Sequence, residues 1–124
     1  MNKTNQLKQL LDERILVLDG AMGSLIQTYQ LDEAGFRGER FADFDHLVHG
    51  NNDLLNITQQ EIVKAIYIAY LEAGADIITT NTFNANAISQ ADYHLSEVAH
   101  EMNLNAARLA REAADLITER EPNK

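Results

Sequence analysis

The sequence predicts an α/β chain built on parallel strands, and three observations carry that reading. Ile15-Leu16-Val17-Leu18 is an unbroken apolar run containing two β-branched residues, which suits a strand buried on both faces. A second such run, Ala75-Asp76-Ile77-Ile78-Thr79-Thr80, follows much later in the chain. Between them lie segments with helical spacing of apolar residues, too long a connection for a hairpin. Strands over 14–19 and 75–80 should therefore be parallel and joined by a right-handed crossover.

The remaining elements follow in order. Leu7, Leu10 and Leu11 recur at helical spacing, so an amphipathic helix over 4–13 should cover an open end of the sheet. The first strand runs into Asp19 and then Gly20 and Gly23, where the chain turns into a helix over 21–29 with Met22, Leu25, Ile26 and Tyr29 on one face. Ligands of parallel α/β proteins sit at the carboxyl ends of the strands, which puts Asp19 on the rim of a candidate site. From 30 to 56 the pattern dissolves into glycines, the acid run Asp43-Phe44-Asp45 and the polar cluster Asn51-Asn52-Asp53. This reads as a long loop pinned by Phe36, Phe41 and Phe44.

Thr58 and Glu61 have the spacing of a capping box, so a helix over 58–73 should begin there. Ile62, Val63, Ile66, Ala69, Tyr70 and Ala73 form its apolar stripe, and Gly74 ends it. After the second strand come Asn81-Thr82-Phe83, a short helix over 85–92, a break near 93–96 and a long helix over 96–119. Ser96 is placed as N-cap of that last helix, whose stripe runs Leu95, Val98, Ala99, Met102, Ala106, Leu109, Ala110, Ala113 and Ile117. Two parallel strands alone would leave both sheet edges unpaired. A larger sheet is therefore expected, completed by further sequence, by another chain or by a rearrangement.

Composition narrows the function. A chain of 124 residues with 45% apolar content can bury an ordinary single core. Nineteen acidic against ten basic side chains give a formal charge of -9, which repels phosphate backbones and anionic lipid. Neither nucleic acid nor a membrane is an expected partner. With no apolar run of spanning length and no signal-peptide core at the N-terminus, the expected location is cytoplasmic. The chain has no cysteine, which removes every thiolate ligand and thiol nucleophile.

Several separate motifs carry a family resemblance. Leu18-Asp19-Gly20-Ala21-Met22-Gly23-Ser24, Phe36-Arg37-Gly38-Glu39-Arg40-Phe41, Gly50-Asn51-Asn52-Asp53-Leu54-Leu55, Glu72-Ala73-Gly74-Ala75-Asp76-Ile77-Ile78 and Thr80-Asn81-Thr82-Phe83 occur in an order and spacing covering nearly the whole chain. Together they resemble the N-terminal part of the homocysteine-binding domain of cobalamin-dependent methionine synthases. More broadly they are similar to the homocysteine S-methyltransferase domain, shared with betaine–homocysteine methyltransferases. The resemblance implies a partial (β/α)8 TIM barrel consisting of its first βα units only, with residues 1–124 an incomplete portion of the domain.

It also implies a chemistry in which zinc held by three cysteines binds homocysteine as a thiolate, which takes a methyl group to give methionine. In the cobalamin-dependent members methylcobalamin supplies that methyl and methyltetrahydrofolate recharges it. Zinc suits the task because it lowers a thiol's pKa without redox chemistry of its own. Lacking cysteine, this chain should bind none of these cofactors by itself and should be inactive alone. What remains is the amino-acid end of the pocket. Asp19 matches the position that contacts homocysteine, where a carboxylate can pair with the substrate ammonium. The backbone N–H groups of Ala21, Met22 and Gly23 at the helix start would receive the carboxylate, Gly20 and Gly23 allow the close approach, and Ser24 completes the motif. Thr79, Asn81, Thr82 and Phe83 line the same rim from the second strand. The sequence departs from the family at Thr79, where glutamate is common, and at Gln60, where proline is frequent.

Simpler readings stand beside these. Asp19 alone would be a helix cap, and Gly-x-x-Gly is too short to identify a phosphate loop. Asn81 and Thr82 either satisfy loop backbone or touch a ligand. His46 and His49 beside Asp43 and Asp45 have a metal-like spacing, but on a solvated loop without an apolar surround. His94 and His100 read as surface residues, and Tyr67 and Tyr70 as packing. The functional alternatives are therefore a substrate-binding portion of a methyltransferase, with homocysteine bound weakly or not at all by this chain alone, and a non-catalytic βα module. The latter would fold by self-association through open sheet edges or with a partner chain. An unrelated small-molecule enzyme has no nucleophile–base pair in the sequence to support it.

Overall fold

The structure, a computed structural model, describes residues 2–122. It is a helical assembly: α1 (Lys3–Glu13), α2 (Met22–Thr28), α3 (Glu33–Arg37), α4 (Leu55–Thr58), α5 (Gln60–Glu72), α6 (Ala87–Gln90) and α7 (Ala99–Arg120), with 3₁₀ turns at Asn52–Leu54, Ala91–Tyr93 and Ser96–Val98. The core lies where α5 and α7 pack together and α4 closes one end. Val63, Ile66, Tyr67 and Leu71 of α5 face Met102, Ala106, Leu109, Ala113 and Ile117 of α7, all buried. The α7 stripe expected from spacing is the stripe that is buried. Gly74, at φ 118°, ends the α5 region in a conformation that side chains rarely adopt.

The expected parallel sheet and partial barrel are not formed. Among the described residues there is no strand, only an isolated parallel bridge between Leu18 and Ile77. The Asp19 N–H donates to the Ile77 carbonyl at 3.0 Å and the Ile77 N–H to the Val17 carbonyl at 3.3 Å. The ladder stops because the Val17 N–H is taken by the Asp76 carboxylate at 2.9 Å, the same carboxylate that holds the Arg14 guanidinium through both of its oxygens at 2.9 and 3.0 Å. The run is not buried on two faces either: Ile15 is 87% exposed and Leu18 63%. Two extended segments without further neighbours cannot sustain a sheet. The α1 helix forms over its expected span, capped by the Asn2 side chain, but none of its residues is buried.

Other expectations are also revised. The capping box at Thr58 is absent: α5 begins at Gln60 without a side-chain cap, while the Thr58 hydroxyl turns back to the Leu54 carbonyl at 3.4 Å. Ser96 does not cap α7, because its hydroxyl donates to the Ala87 carbonyl at 2.7 Å. The 30–56 loop is pinned by buried Phe36 and Phe41, the latter edge-on to Phe44, but it also contains α3. There Glu33 accepts from the Val48 and His49 N–H groups, and Arg37 donates to the carbonyls of Phe44 at 2.5 Å and His46 at 3.1 Å. A pair one helical turn apart thus staples the following dozen residues by their backbone. No helix among the described residues is long and apolar enough to cross a membrane.

Candidate functional site

The bridge between the two extended segments delivers their ends to a common rim. A cavity of about 580 Å³ opens there between the Asp19 turn, the Gly50–Asp53 stretch and residues 79–84. Of the residues expected at the site, Asp19, Gly20, Met22, Gly23, Thr79, Asn81, Thr82 and Phe83 line it; Ala21 and Ser24 do not. Asp19 and Asp53 are the only charged side chains among the lining residues, and no Lys, Arg or His is among them.

Asp19 is held from one residue. Its Oδ2 accepts the Thr79 N–H at 2.9 Å and its Oδ1 the Thr79 hydroxyl at 2.7 Å. Gly20 lets the chain pass close to α5, since a Cβ there would stand 2.9 Å from the Tyr70 ring. The Tyr70 hydroxyl donates to the Ala21 carbonyl at 2.6 Å, fixing the start of α2, whose N-terminus has no side-chain cap. Tyr67 and Tyr70 therefore pack as expected and also anchor the two sides of the rim.

Asn81 lines the cleft and satisfies loop backbone, one of the two roles open to it. It is 6% exposed, and its side-chain N–H groups go to the Asn52 carbonyl at 2.9 Å and Asn56 Oδ1 at 3.0 Å. Its backbone N–H goes to the buried Tyr67 hydroxyl at 2.7 Å. Burial pushes the Tyr67 phenol up to about 12, against the Asn81 N–H, which favours the ionised form; the Asp19 charge adds to the rise. The hydroxyls of Thr80 and Thr82 pair at 2.8 Å, and Phe83 is 94% exposed at the mouth.

The Asn51-Asn52-Asp53 cluster, expected as part of a long loop, forms the floor of the site with Asn51 and Asp53 buried. Asn51 and Gln90 exchange reciprocal amide hydrogen bonds at 2.8 and 3.1 Å, and Gln90 also donates to the Asn84 carbonyl. Asp53 accepts the Asn84 N–H at 2.9 Å; burial raises its pKa, partly offset by that bond. Asn56 reaches both the Asn81 and Met102 carbonyls, tying the rim to α7. Short amides followed by Leu54-Leu55 were the available signal: polar groups next to a wholly buried pair must find partners.

The histidines do not converge. His46 Nε2 lies 3.1 Å from the Asp92 carbonyl while its ring stacks on His94, and His49 packs on Phe36 with Nε2 at the Leu31 carbonyl. Among the described residues no group of three or more His, Cys, Asp or Glu side chains could hold a metal.

The helical scaffold thus carries a cleft of about 580 Å³ whose charged lining side chains are Asp19 and Asp53 and whose floor is built from hydrogen-bonded amides. The model of the homocysteine S-methyltransferase family matches residues 16–123, so the chain belongs to that family. The zinc implied by the resemblance does not fit the donors present: thiolates are absent from the sequence, and no three-ligand cluster exists among the described residues.

Proposed function

We propose that this chain is the amino-acid-binding portion of a methyltransferase that transfers a methyl group to homocysteine to give methionine. In this reading the Asp19 side chain pairs with the substrate ammonium, and the backbone N–H groups of Met22 and Gly23 meet the substrate carboxylate. Thiolate activation, the zinc ion and the methyl donor are supplied by protein outside these residues, so the chain alone binds substrate weakly and turns nothing over. The observation that carries the reading is Asp19 fixed at the rim of a cleft without cationic side chains, in a chain of this family. Titration of the isotopically labelled chain with L-homocysteine, followed by NMR, should shift resonances of residues 19–23 and 79–83 at millimolar ligand. The Asp19→Asn variant should lose those shifts. Shifts that persist unchanged in Asp19→Asn, or that are absent from the cleft in the parent chain, sink the proposal.

A second reading is favoured by one observation: Ile15, Val17 and Leu18 are large apolar side chains more than half exposed on the extended segment that carries the isolated bridge. Such a surface supports a non-catalytic module that associates with itself or a partner chain. Sedimentation should then show concentration-dependent association that Ile15→Lys reverses. A monomer at all concentrations counts against it.

A further inference from the structure

We infer that Thr79 is a positioning residue that sets Asp19 for an amino group, making the cleft select amine-bearing ligands over otherwise identical amine-free ones. The inference rests on the homocysteine reading above and goes beyond it, because it assigns the orientation of the carboxylate, and with it part of the preference for the amine, to a second residue. An aspartate carboxyl turns easily about its last torsion, whose preferences are broad. Here both oxygens are gripped by donors of one residue, the N–H at 2.9 Å and the hydroxyl at 2.7 Å. The carboxylate plane is therefore defined.

The clamp is itself stiff. Thr79 is β-branched, which restricts the torsion that carries its hydroxyl. The backbone beneath it is placed by the bridge through Asp19 N–H to Ile77 carbonyl and by Asn81 N–H to Tyr67. Each carboxylate oxygen spends one lone pair on Thr79 and keeps another to accept from a ligand. With no Lys, Arg or His lining the cavity, no side-chain cation of the cleft competes for those lone pairs. Preorganised charge costs no reordering when the ammonium arrives, and that is where a donor outside direct ligand contact gains its influence.

The test compares L-homocysteine with 4-mercaptobutyrate, which lacks only the amino group, by NMR titration of the full chain and its variants. Thr79→Val keeps the shape and removes the hydroxyl; it should weaken homocysteine binding by about tenfold or more, the effect of one hydrogen bond to a charged group, and leave 4-mercaptobutyrate unchanged. Thr79→Ser should restore the parent affinity. If Thr79→Val fails to fold, Thr79→Ala supplies the same comparison. Equal weakening of both ligands, or of neither, overturns the inference while leaving the homocysteine reading intact. A parent chain that binds neither ligand overturns both.

Discussion

Tyr67 combines a fully buried ring with a hydroxyl that accepts the Asn81 N–H, and that single oxygen holds the 79–83 rim against α5. Removing it leaves a buried N–H without a partner, which costs more than the bond contributes when both partners are present. Tyr67→Phe should destabilise the fold by about 1–3 kcal/mol in urea denaturation. Tyr70→Phe removes a bond made at an exposed position and should cost less. A result in which the two variants are equal would remove Tyr67 from this role. The same comparison shows what sequence could say about residues. The expected approach of Asp19, Gly20 and Thr79 to one rim is present, because the two apolar runs are joined by a single bridge that brings the residues after them together. The inward turn of Asn81 was not legible, because its partners Asn52 and Asn56 lie 25 or more positions away and an asparagine's spacing does not reveal which way its amide points.

At the scale of elements, periodicity was informative where an element is long and one face is buried. The α7 stripe is nearly continuous across 22 residues, whereas the signals that failed were caps at Thr58 and Ser96. Both hydroxyls instead found a carbonyl acceptor nearby, an alternative open to any Ser or Thr at a chain reversal. Because α5 and α7 form the largest packed interface, truncating Met102, which is wholly buried, should open a cavity and cost about 2–5 kcal/mol. Leu104, two residues on but 61% exposed, should tolerate alanine with a change within about 0.5 kcal/mol. Similar losses in the two variants, measured by the same denaturation, would contradict this division of the helix.

Across the whole molecule, two apolar runs announced buried strands, but burial on both faces is a property of surrounding layers and not of the run itself. What survives here is one bridge, clamped by Asp76, with its apolar side chains turned to solvent. The molecule's charge balance makes a separate claim about pH. Glu101 is held below the usual carboxylate range by its ion pair with Arg40, and Glu112 by Arg108 and Lys64. For Glu33 burial works upward, but the Val48 N–H, Arg37 and the His49 N–H together bring it below that range.

A carboxylate with a lowered folded-state pKa contributes stability that is fully present above its unfolded value, 4.5 here, and is lost as pH falls through the folded value. Asp53 runs the other way: burial raises it, so stability declines as pH rises from 3.8 through its folded value, which blunts the acid loss. Tyr67, raised from 10.0 to about 12, adds a decline over that alkaline interval. The urea midpoint should consequently fall both below about pH 4.5 and above about pH 10. Glu33→Gln should flatten the acid limb, Asp53→Asn should steepen it, and Tyr67→Phe should remove the alkaline limb. The three changes are told apart by limb and by sign, because each variant deletes one proton-binding difference between the folded and unfolded chain. An acid limb unchanged in Glu33→Gln would show that the staple between α3 and the Val48 backbone does not couple to folding.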